Sequence, residues 1–285
     1  MPEIARVMVT GAAGQLGSTV VASLSRRYEV VSFTRAQLDI ADEPAVLERV
    51  TSVAPDAIVN CAAYNDVDGA EDTPLDAIAG NALGVLALAR AAAASGALLV
   101  HYSTDFVFDG AIDRPYEEAD PPRPLSAYGS SKLLGEWFAL EAPSAYVLRV
   151  ESLFGGHPAK SSIDKIIAGI ENGQPVRVFA DRTVTPSYVA DVTTATLALL
   201  ERQPSFGVYH CVNSEVTTWE GVAVEVARLM RKRDAEIVPV SSDSVKLRAR
   251  RPRYCALSNR KLADAGVVMP SWRDALARYV ALSRD

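Results

Sequence analysis

This sequence of 285 residues contains few cysteines and few histidines, and its acidic residues outnumber its basic ones. The cysteines, Cys61, Cys211 and Cys255, have no CxxC spacing and leave an odd thiol, which predicts no disulfide framework and no zinc site. A formal net charge of −6 argues against nonspecific nucleic-acid binding. The three histidines lack the spacing of metal ligands, and we interpret the two in apolar strands as structural residues. No resident metal is expected.

Long hydrophobic runs are also missing. We find no apolar run long enough to span a bilayer and no basic-then-apolar signal segment near the first residues. An acidic stretch at Asp66, Asp68 and Glu71 precedes a helix, where carboxylates favour the helix N-terminus, so we do not interpret it as a metal site. These features predict a cytoplasmic chain without a membrane or nucleic-acid partner.

Strand and helix patterns alternate through the first half of the chain. The alternating segments are strand 5–10, helix 15–26, strand 29–33, helix 42–53, strand 57–61, helix 75–94 and strand 98–103. Near-continuous apolar strands that alternate with helices are typical of a parallel sheet covered on both faces. The predicted fold class is therefore α/β, a Rossmann-type doubly wound parallel sheet.

The regular alternation ends after 146–150, where a turn cluster of Gly155, Gly156 and Pro158 begins a less regular region. We expect a dinucleotide-binding domain over 1–155, to which part of 181–212 returns. We expect 156–285 to form mainly a smaller C-terminal α/β lobe that binds substrate.

Three glycines follow the first strand with the spacing G-x-x-G-x-x-G. Gly11 permits a tight turn, Gly14 lets the backbone approach a pyrophosphate, and Gly17 lets the new helix lie close on the sheet. The N–H groups that the helix leaves free then face phosphate oxygens. The alternative is a tight turn without a ligand; the preceding strand and the following helix favour dinucleotide binding.

The second strand is followed by Arg35, which suits the 2′-phosphate of NADP(H), and Asp39 lies near enough in sequence to contact the adenosine instead. We therefore expect NADPH as the cofactor, with NADH as the alternative. A solvated loop arginine is the competing interpretation of Arg35.

Tyr128 and Lys132 are four residues apart in a helical pattern, so their side chains share one face. An adjacent ammonium stabilises a phenolate and allows the tyrosine to exchange a proton near neutral pH. Thr104 ends a strand, at the sheet edge where substrates of α/β proteins bind, and is placed to hydrogen-bond the same carbonyl oxygen. The order of these motifs predicts hydride transfer to or from a carbonyl.

The chain resembles the extended short-chain dehydrogenase/reductases, and within them the dTDP-4-dehydrorhamnose reductase group. The most specific similarities are Ser-Thr-Asp-Phe-Val-Phe at 103–108, Arg-Pro at 251–252 and Trp-Arg-Asp-Ala-Leu at 272–276. Further similarities lie at 11–17, 38–40, 60–63, 67–71, 128–136 and 181–186. The resemblance thus extends over almost the whole chain.

This resemblance implies reduction of the C4 carbonyl of a nucleotide-linked 4-keto-6-deoxysugar by NAD(P)H. Tyr128 would donate the proton, Lys132 would lower the pKa of Tyr128 and hold the nicotinamide ribose, and Thr104 would orient the keto oxygen. The implied cofactor-binding residues are Gly11, Gly14, Gln15, Leu16, Gly17, Arg35, Asp39, Ile40, Cys61, Ala62, Ala63, Ser103, Tyr128 and Lys132. The implied substrate residues are Val67, Thr104, Asp105, Phe106, Ser152 and Arg251. The sequence leaves the oligomeric state open, and a homodimer is the candidate assembly.

The sequence departs from the family pattern where the sugar is expected. Ser152 occupies the place of an aromatic residue, Tyr64 and Asn65 occupy the segment that usually carries a histidine, and the stretch 181–187 lacks a glutamine and a glycine of the family pattern. The identity of the sugar therefore stays open. Arg251 lies in a basic run at 246–253 and is our candidate for the substrate pyrophosphate, with a solvated basic loop as the alternative.

Two other functions share this fold. A sugar-nucleotide 4,6-dehydratase would carry Thr-Asp-Glu after the catalytic strand, whereas this chain has Phe106 in the third position. An epimerase recycles a tightly held NAD, and Arg35 favours an exchangeable NADPH instead. A non-catalytic, NADP-binding regulatory subunit is the remaining alternative, which the retention of Thr104, Tyr128 and Lys132 disfavours.

Overall fold

A computed structural model describes residues 3–282 of the chain as an α/β protein. Its strands are β1 (Arg6–Thr10), β2 (Glu29–Phe33), β3 (Ala57–Asn60), β4 (Leu98–Thr104), β5 (Ala145–Val150), β6 (Leu153–Phe154), β7 (Val176–Phe179), β8 (Thr183–Val184), β9 (Ser187–Tyr188), β10 (Gly207–His210), β11 (Thr217–Thr218) and β12 (Ile237–Val240). Its α-helices are α1 (Gln15–Leu24), α2 (Glu43–Val53), α3 (Gly69–Asp72), α4 (Pro74–Ile78), α5 (Gly84–Ser95), α6 (Ala127–Ala139), α7 (Ser162–Glu171), α8 (Val189–Arg202), α9 (Trp219–Leu229), α10 (Arg260–Asp264) and α11 (Trp272–Leu282).

The central sheet has six parallel strands in the order β10-β5-β4-β3-β1-β2. β1 lies between β2 and β3, so the chain winds outward in both directions from β1. In such a sheet, ligands bind at the carboxyl edge beside the point where the winding reverses. The predicted Rossmann-type, doubly wound fold is confirmed.

Side chains alternate between the two faces of the sheet, as the period of a strand requires. Val7 and Val9 of β1 pack into the cluster that contains residues of α1 and α8, whereas Met8 packs into the cluster on the opposite face with residues of α2 and α5. Both faces are therefore covered, which explains why the sequence of β1 is a continuous apolar run.

The smaller strands pair beyond the central sheet. β7 pairs with β12 and β6 with β9, both parallel, and β8 pairs with β11 in antiparallel fashion. β10 joins the main sheet beside β5, and α8 packs on α1. The two-lobe division remains a prediction, and its outer ends at residues 1–2 and 283–285 lie outside the described residues.

The predicted helix at 75–94 is divided by a π-helical turn, Ala79–Leu83, which places the carboxamide of Asn81 inside the protein. Asn81 accepts a hydrogen bond from Tyr64 N and donates to the hydroxyl of Ser131 in α6. The whole helical run Pro74–Ser95 is long and apolar enough to cross a membrane by length and composition alone, so the expectation that no such run exists is wrong. This criterion is also met by core helices, and 56% of its most apolar window is buried.

Candidate active site

The glycine turn between β1 and α1 brings two backbone segments closer than any side chain would allow. Gly11 has φ +69°, and a Cβ on it would lie 2.5 Å from the backbone nitrogen of Ala62. A Cβ on Gly17 would lie 2.2 Å from the carbonyl oxygen of Gly11. α1 begins directly after Gly14 without a side-chain cap, so its first N–H groups are available to an anion.

A cavity of about 520 Å³ opens at this turn, where the winding of the sheet reverses between β1 and β3. Its lining includes eight of the predicted cofactor residues: Gly11, Gly14, Arg35, Asp39, Ile40, Cys61, Ala62 and Ala63. Leu16 and Gly17 are buried in the helix behind it, and the side chain of Gln15 donates to the carbonyl oxygen of Gly155 at 2.7 Å. These residues therefore support the turn from behind.

Arg35 and Asp39 lie side by side at the rim of the cavity. The Arg35 side chain is 87% exposed, and its Nε is 3.7 Å from Asp39 Oδ2. An exposed contact of this length constrains neither side chain strongly. The guanidinium is free to turn toward a phosphate.

Tyr128 and Lys132 lie on successive turns of α6, and both are buried. α6 begins after Ser126, whose hydroxyl accepts the backbone N–H of Gly129. The phenol ring of Tyr128 packs edge-on against Phe106, with 5.9 Å between ring centroids. Thr104 ends β4 beside this helix, and its hydroxyl donates to Asp105 Oδ1 at 3.0 Å. The structure thus brings together the three residues predicted to be catalytic.

Burial shifts the pKa values of both Tyr128 and Lys132. It raises the pKa of Tyr128 well above 10, and the neighbouring carboxyl of Asp105 adds to this shift, whereas hydrogen bonding with Thr104 opposes it. Burial also lowers the pKa of Lys132 to about 8, against a smaller raising effect of Glu136. The family resemblance implies that Lys132 lowers the pKa of Tyr128, whereas the pKa of Tyr128 is raised in the structure. Lys132 Nζ donates instead to the carbonyl oxygen of Tyr102 at 2.6 Å.

A buried ion pair supports the carboxyl edge of β4 and β5. The guanidinium of Arg149 donates two hydrogen bonds to Glu136, at 2.8 and 2.7 Å, and the hydroxyl of Ser103 donates to the same carboxylate. Ser103, predicted to contact the cofactor, is therefore engaged with α6. The pair fixes α6 against both strands.

Sequence reasoning missed a buried polar cluster next to Asp105. Asp105, Glu151 and Cys255 offer ligand atoms within 4.8 Å of one another, and Arg182 donates toward the Cys255 sulfur at 3.8 Å. Burial raises the pKa of both carboxyl groups, and the charge of Asp105 raises that of Glu151 further. The Glu151 carboxylate accepts from Thr185 N at 2.8 Å. Glu151 directly follows a fully buried strand, which was the signal available in the sequence.

The remaining predicted substrate residues lie on different elements, and two of them contact Tyr128. Val67 and Phe106 pack around Tyr128 in one apolar cluster, and Ser152 adopts a left-handed conformation with φ +46°. Arg251 donates two hydrogen bonds to the carboxylate of Asp68, at 3.0 and 2.8 Å, and this pairing lowers the pKa of Asp68 to about 2. A contact between Arg251 and a substrate phosphate remains a prediction.

The other acids of the 66–71 stretch have local partners. Asp66 accepts the backbone N–H of Gly69 at 2.9 Å, and Glu71 accepts that of Ala127 at the start of α6. These acids therefore order the loop and helix that border Tyr128.

Comparison with known proteins agrees with this geometry. Residues 5–284 match the model of the family described as RmlD substrate binding domain. The chain is 40% identical over 283 residues to dTDP-4-dehydrorhamnose reductase of Mycobacterium tuberculosis, covering 97% of this chain and 92% of that protein.

Two solved structures are similar over their whole length. The dTDP-4-dehydrorhamnose reductase ortholog of Clostridium acetobutylicum superposes with a TM-score of 0.93 at 31% identity, covering 98% of this chain and 100% of that one. The dTDP-4-dehydrorhamnose reductase of Bacillus anthracis in complex with NADP gives the same TM-score and identity, with coverage of 99% and 100%.

Proposed function

The chain belongs to the RmlD substrate binding domain family, and on that premise we propose that it is an NADPH-dependent reductase of a nucleotide-linked 4-keto-6-deoxysugar of the dTDP-4-dehydrorhamnose class. The observation that carries this proposal is the convergence of Thr104, Tyr128 and Lys132 at the carboxyl edge of β4, beside the glycine turn. NADH remains the alternative cofactor.

The cavity at the turn fits a dinucleotide, because the backbone approach at Gly11 and Gly17 leaves no room for a Cβ. When bound, NADPH supplies a hydride. The start of α1 would hold the pyrophosphate, Arg35 the 2′-phosphate and Lys132 the nicotinamide ribose. The roles of the α1 start and of Arg35 follow from their places at the cavity. The role of Lys132 follows from the family resemblance and from its charge.

Catalysis would require a proton on the keto oxygen as C4 gains the hydride. Tyr128 donates that proton, and Thr104 orients the oxygen from the end of β4. Burial keeps the Tyr128 phenol protonated until the acceptor arrives, and Lys132 stabilises the phenolate that forms. The ketone plus one hydride and one proton gives the secondary alcohol.

The substrate would lie over Tyr128, in contact with Val67, Asp105, Phe106 and Ser152. Arg251 would meet the nucleotide pyrophosphate by exchanging part of its pairing with Asp68 for phosphate oxygens. In this proposal the 1–155 lobe and the returning part of 181–212 hold the cofactor, and 156–285 mainly holds the sugar nucleotide. The division is supported by the position of β10 in the main sheet.

A cytoplasmic homodimer completes the proposal. The three cysteines are free thiols, which suits a reducing compartment. Leu83 and Trp137 expose large apolar surfaces on neighbouring helical segments and are candidates for a contact between two copies. Sedimentation of the wild-type protein and of Trp137→Glu would test this assembly, and a wild-type monomer would refute it.

Replacing Tyr128 by Phe tests the proposed reaction. We expect turnover of dTDP-4-dehydrorhamnose with NADPH to fall by a factor of order 10² or more, because only proton donation is lost. NADPH should bind as in the wild type. The matched control is Tyr209→Phe in β10, which removes a hydroxyl that donates to Ser205 O and should leave turnover unchanged. Undiminished turnover in Tyr128→Phe would remove this residue from the mechanism.

A further inference from the structure

Lys132 ends a buried chain of polar side chains that starts in β3. Its Nζ lies 3.5 Å from Nε2 of His101, in addition to its hydrogen bond with Tyr102 O. The other ring nitrogen, His101 Nδ1, lies 3.0 Å from Nδ2 of Asn60. The state of the imidazole therefore depends on how Asn60 is oriented.

Hydrogen bonds from Ala62 and Thr10 fix the orientation of the Asn60 carboxamide. The backbone N–H of Ala62 donates to Asn60 Oδ1 at 3.0 Å, and an N–H group only donates. The hydroxyl of Thr10 donates to the same oxygen at 2.7 Å. The oxygen therefore points to Ala62 and Thr10, the NH₂ group points to the ring, and His101 Nδ1 must be the acceptor.

His101 is neutral, because burial and the nearby Lys132 hold its pKa well below 6.5. A neutral imidazole whose Nδ1 accepts a hydrogen bond carries its proton on Nε2. That N–H is directed at Lys132 Nζ, which has no lone pair while it is an ammonium. Because His101 Nε2–H and the Lys132 ammonium are both donors, their contact disfavours the ammonium. The same contact becomes a hydrogen bond once Lys132 is a neutral amine.

We propose that Asn60 and His101 are positioning residues for Lys132: they fix the Nε2–H tautomer and thereby weaken the hold of Lys132 on its proton. After Tyr128 has given its proton to the keto oxygen, the loosely held proton of Lys132 passes to the phenolate. Lys132 then regains a proton from solvent. The inference rests on the proposed reductase function for its catalytic consequence and on the geometry alone for the tautomer.

The other charged groups around Lys132 do not cancel this effect. Glu136, one turn further along α6, raises the pKa of Lys132, but its carboxylate is shared with the guanidinium of Arg149. The phenol of Tyr128, one turn earlier, is protonated. Burial nevertheless lowers the pKa of Lys132 to about 8. The contact with the Nε2–H group of His101 acts in the same direction.

The tautomer is directly measurable by ¹⁵N NMR of histidine-labelled wild-type protein, because the chain has three histidines. We expect His101 to show a protonated Nε2 and an unprotonated, hydrogen-bonded Nδ1, with assignment from the signals lost in His101→Leu. A protonated Nδ1 would overturn the proposal. This measurement requires no substrate and no activity, so it separates failure of the inference from failure of the proposed function.

The effect on Lys132 is measured by the pH profile of kcat. We expect the alkaline limb, which reports the Tyr128–Lys132 pair, to move up by roughly one pH unit in His101→Leu and in Asn60→Ala. The double variant should move it no further, because Asn60 acts through His101. The exposed His157→Leu is the control and should leave the limb in place. A uniform loss of activity without movement of the limb would show that both residues are merely structural.

Discussion

The hydroxyl of Thr104 can donate only one hydrogen bond, and both Asp105 and a bound keto oxygen could accept it. In the structure the hydroxyl donates to Asp105, whereas a keto oxygen in the site would need the same proton. Asp105 lies beside Glu151. Burial raises the pKa of both groups, and the charge of Asp105 raises that of Glu151 further, so the pair tends to retain a proton. Glu151 therefore affects the residue that is proposed to orient the substrate, although it lies behind the site.

The raised pKa of Glu151 predicts how stability depends on pH. The folded chain holds this proton more tightly than the unfolded chain, so the contribution is complete below the unfolded pKa and is lost as pH rises through the folded pKa. Glu151→Gln keeps the shape without the charge, and we expect it to unfold at a higher temperature than wild type at pH 8 but not at pH 4. The gain should be about 1.4 kcal/mol for each unit of raised pKa.

Thermal unfolding at the two pH values checks this prediction. The control is Glu48→Gln on the exposed side of α2, which we expect to change stability equally little at both. A Glu151→Gln protein that is destabilised more at pH 8 than at pH 4 would show that the ionised carboxylate is required.

Arg35 is the residue on which the choice of cofactor depends. Replacing it by Asp should lower the ratio of kcat/KM for NADPH over NADH by about tenfold or more, because a carboxylate repels the 2′-phosphate and accepts from the 2′-hydroxyl. Arg35→Lys keeps the charge and should retain most of the preference. Steady-state kinetics with both cofactors measure the ratio, and an unchanged ratio would mean that Arg35 does not contact the 2′-phosphate.

At the scale of elements, the site depends on three junctions at one edge of the sheet: β1 with α1, β3 with the loop after it, and β4 with α6. The sequence predicts these junctions well because strand periodicity, glycine spacing and helix capping are local signals. It did not predict the π-helical turn that inserts Asn81 between Tyr64 and Ser131, nor the parallel pairing of β7 with β12. Both depend on contacts between segments distant in the chain.

The junction of β1 and α1 is open to a direct test with Gly17→Ala. The added Cβ would meet Gly11 O at 2.2 Å, so the turn must shift, and we expect weaker NADPH binding together with a loss of about 1–3 kcal/mol of stability. Gly96→Ala is the control, because no atom lies within 4 Å of its Cβ and the cost is limited to its positive φ. NADPH titration and thermal unfolding measure both effects; unchanged binding in Gly17→Ala would contradict the assigned role.

At the scale of the whole molecule, residues between positions 11 and 255 of the chain meet at one edge of the central sheet. The nucleotide half of the site was visible in the sequence, since its residues are contiguous along short motifs. The sugar half was less visible: Glu151, Arg182 and Cys255 come from three separate segments and meet only in the fold. The departures from the family pattern at Ser152 lie in this half. The reaction is therefore better determined than the sugar.

The most direct test of the central claim is transfer of deuterium from [4-²H]NADPH, labelled at the transferred position, to dTDP-4-dehydrorhamnose and related dTDP-4-keto-6-deoxysugars. NADPH oxidation would be followed by absorbance, and the product would be examined by NMR. We predict oxidation with at least one of these sugars and deuterium at C4 of the resulting alcohol. NADPH that binds but is not oxidised by any of them, or a product without deuterium at C4, would contradict the account.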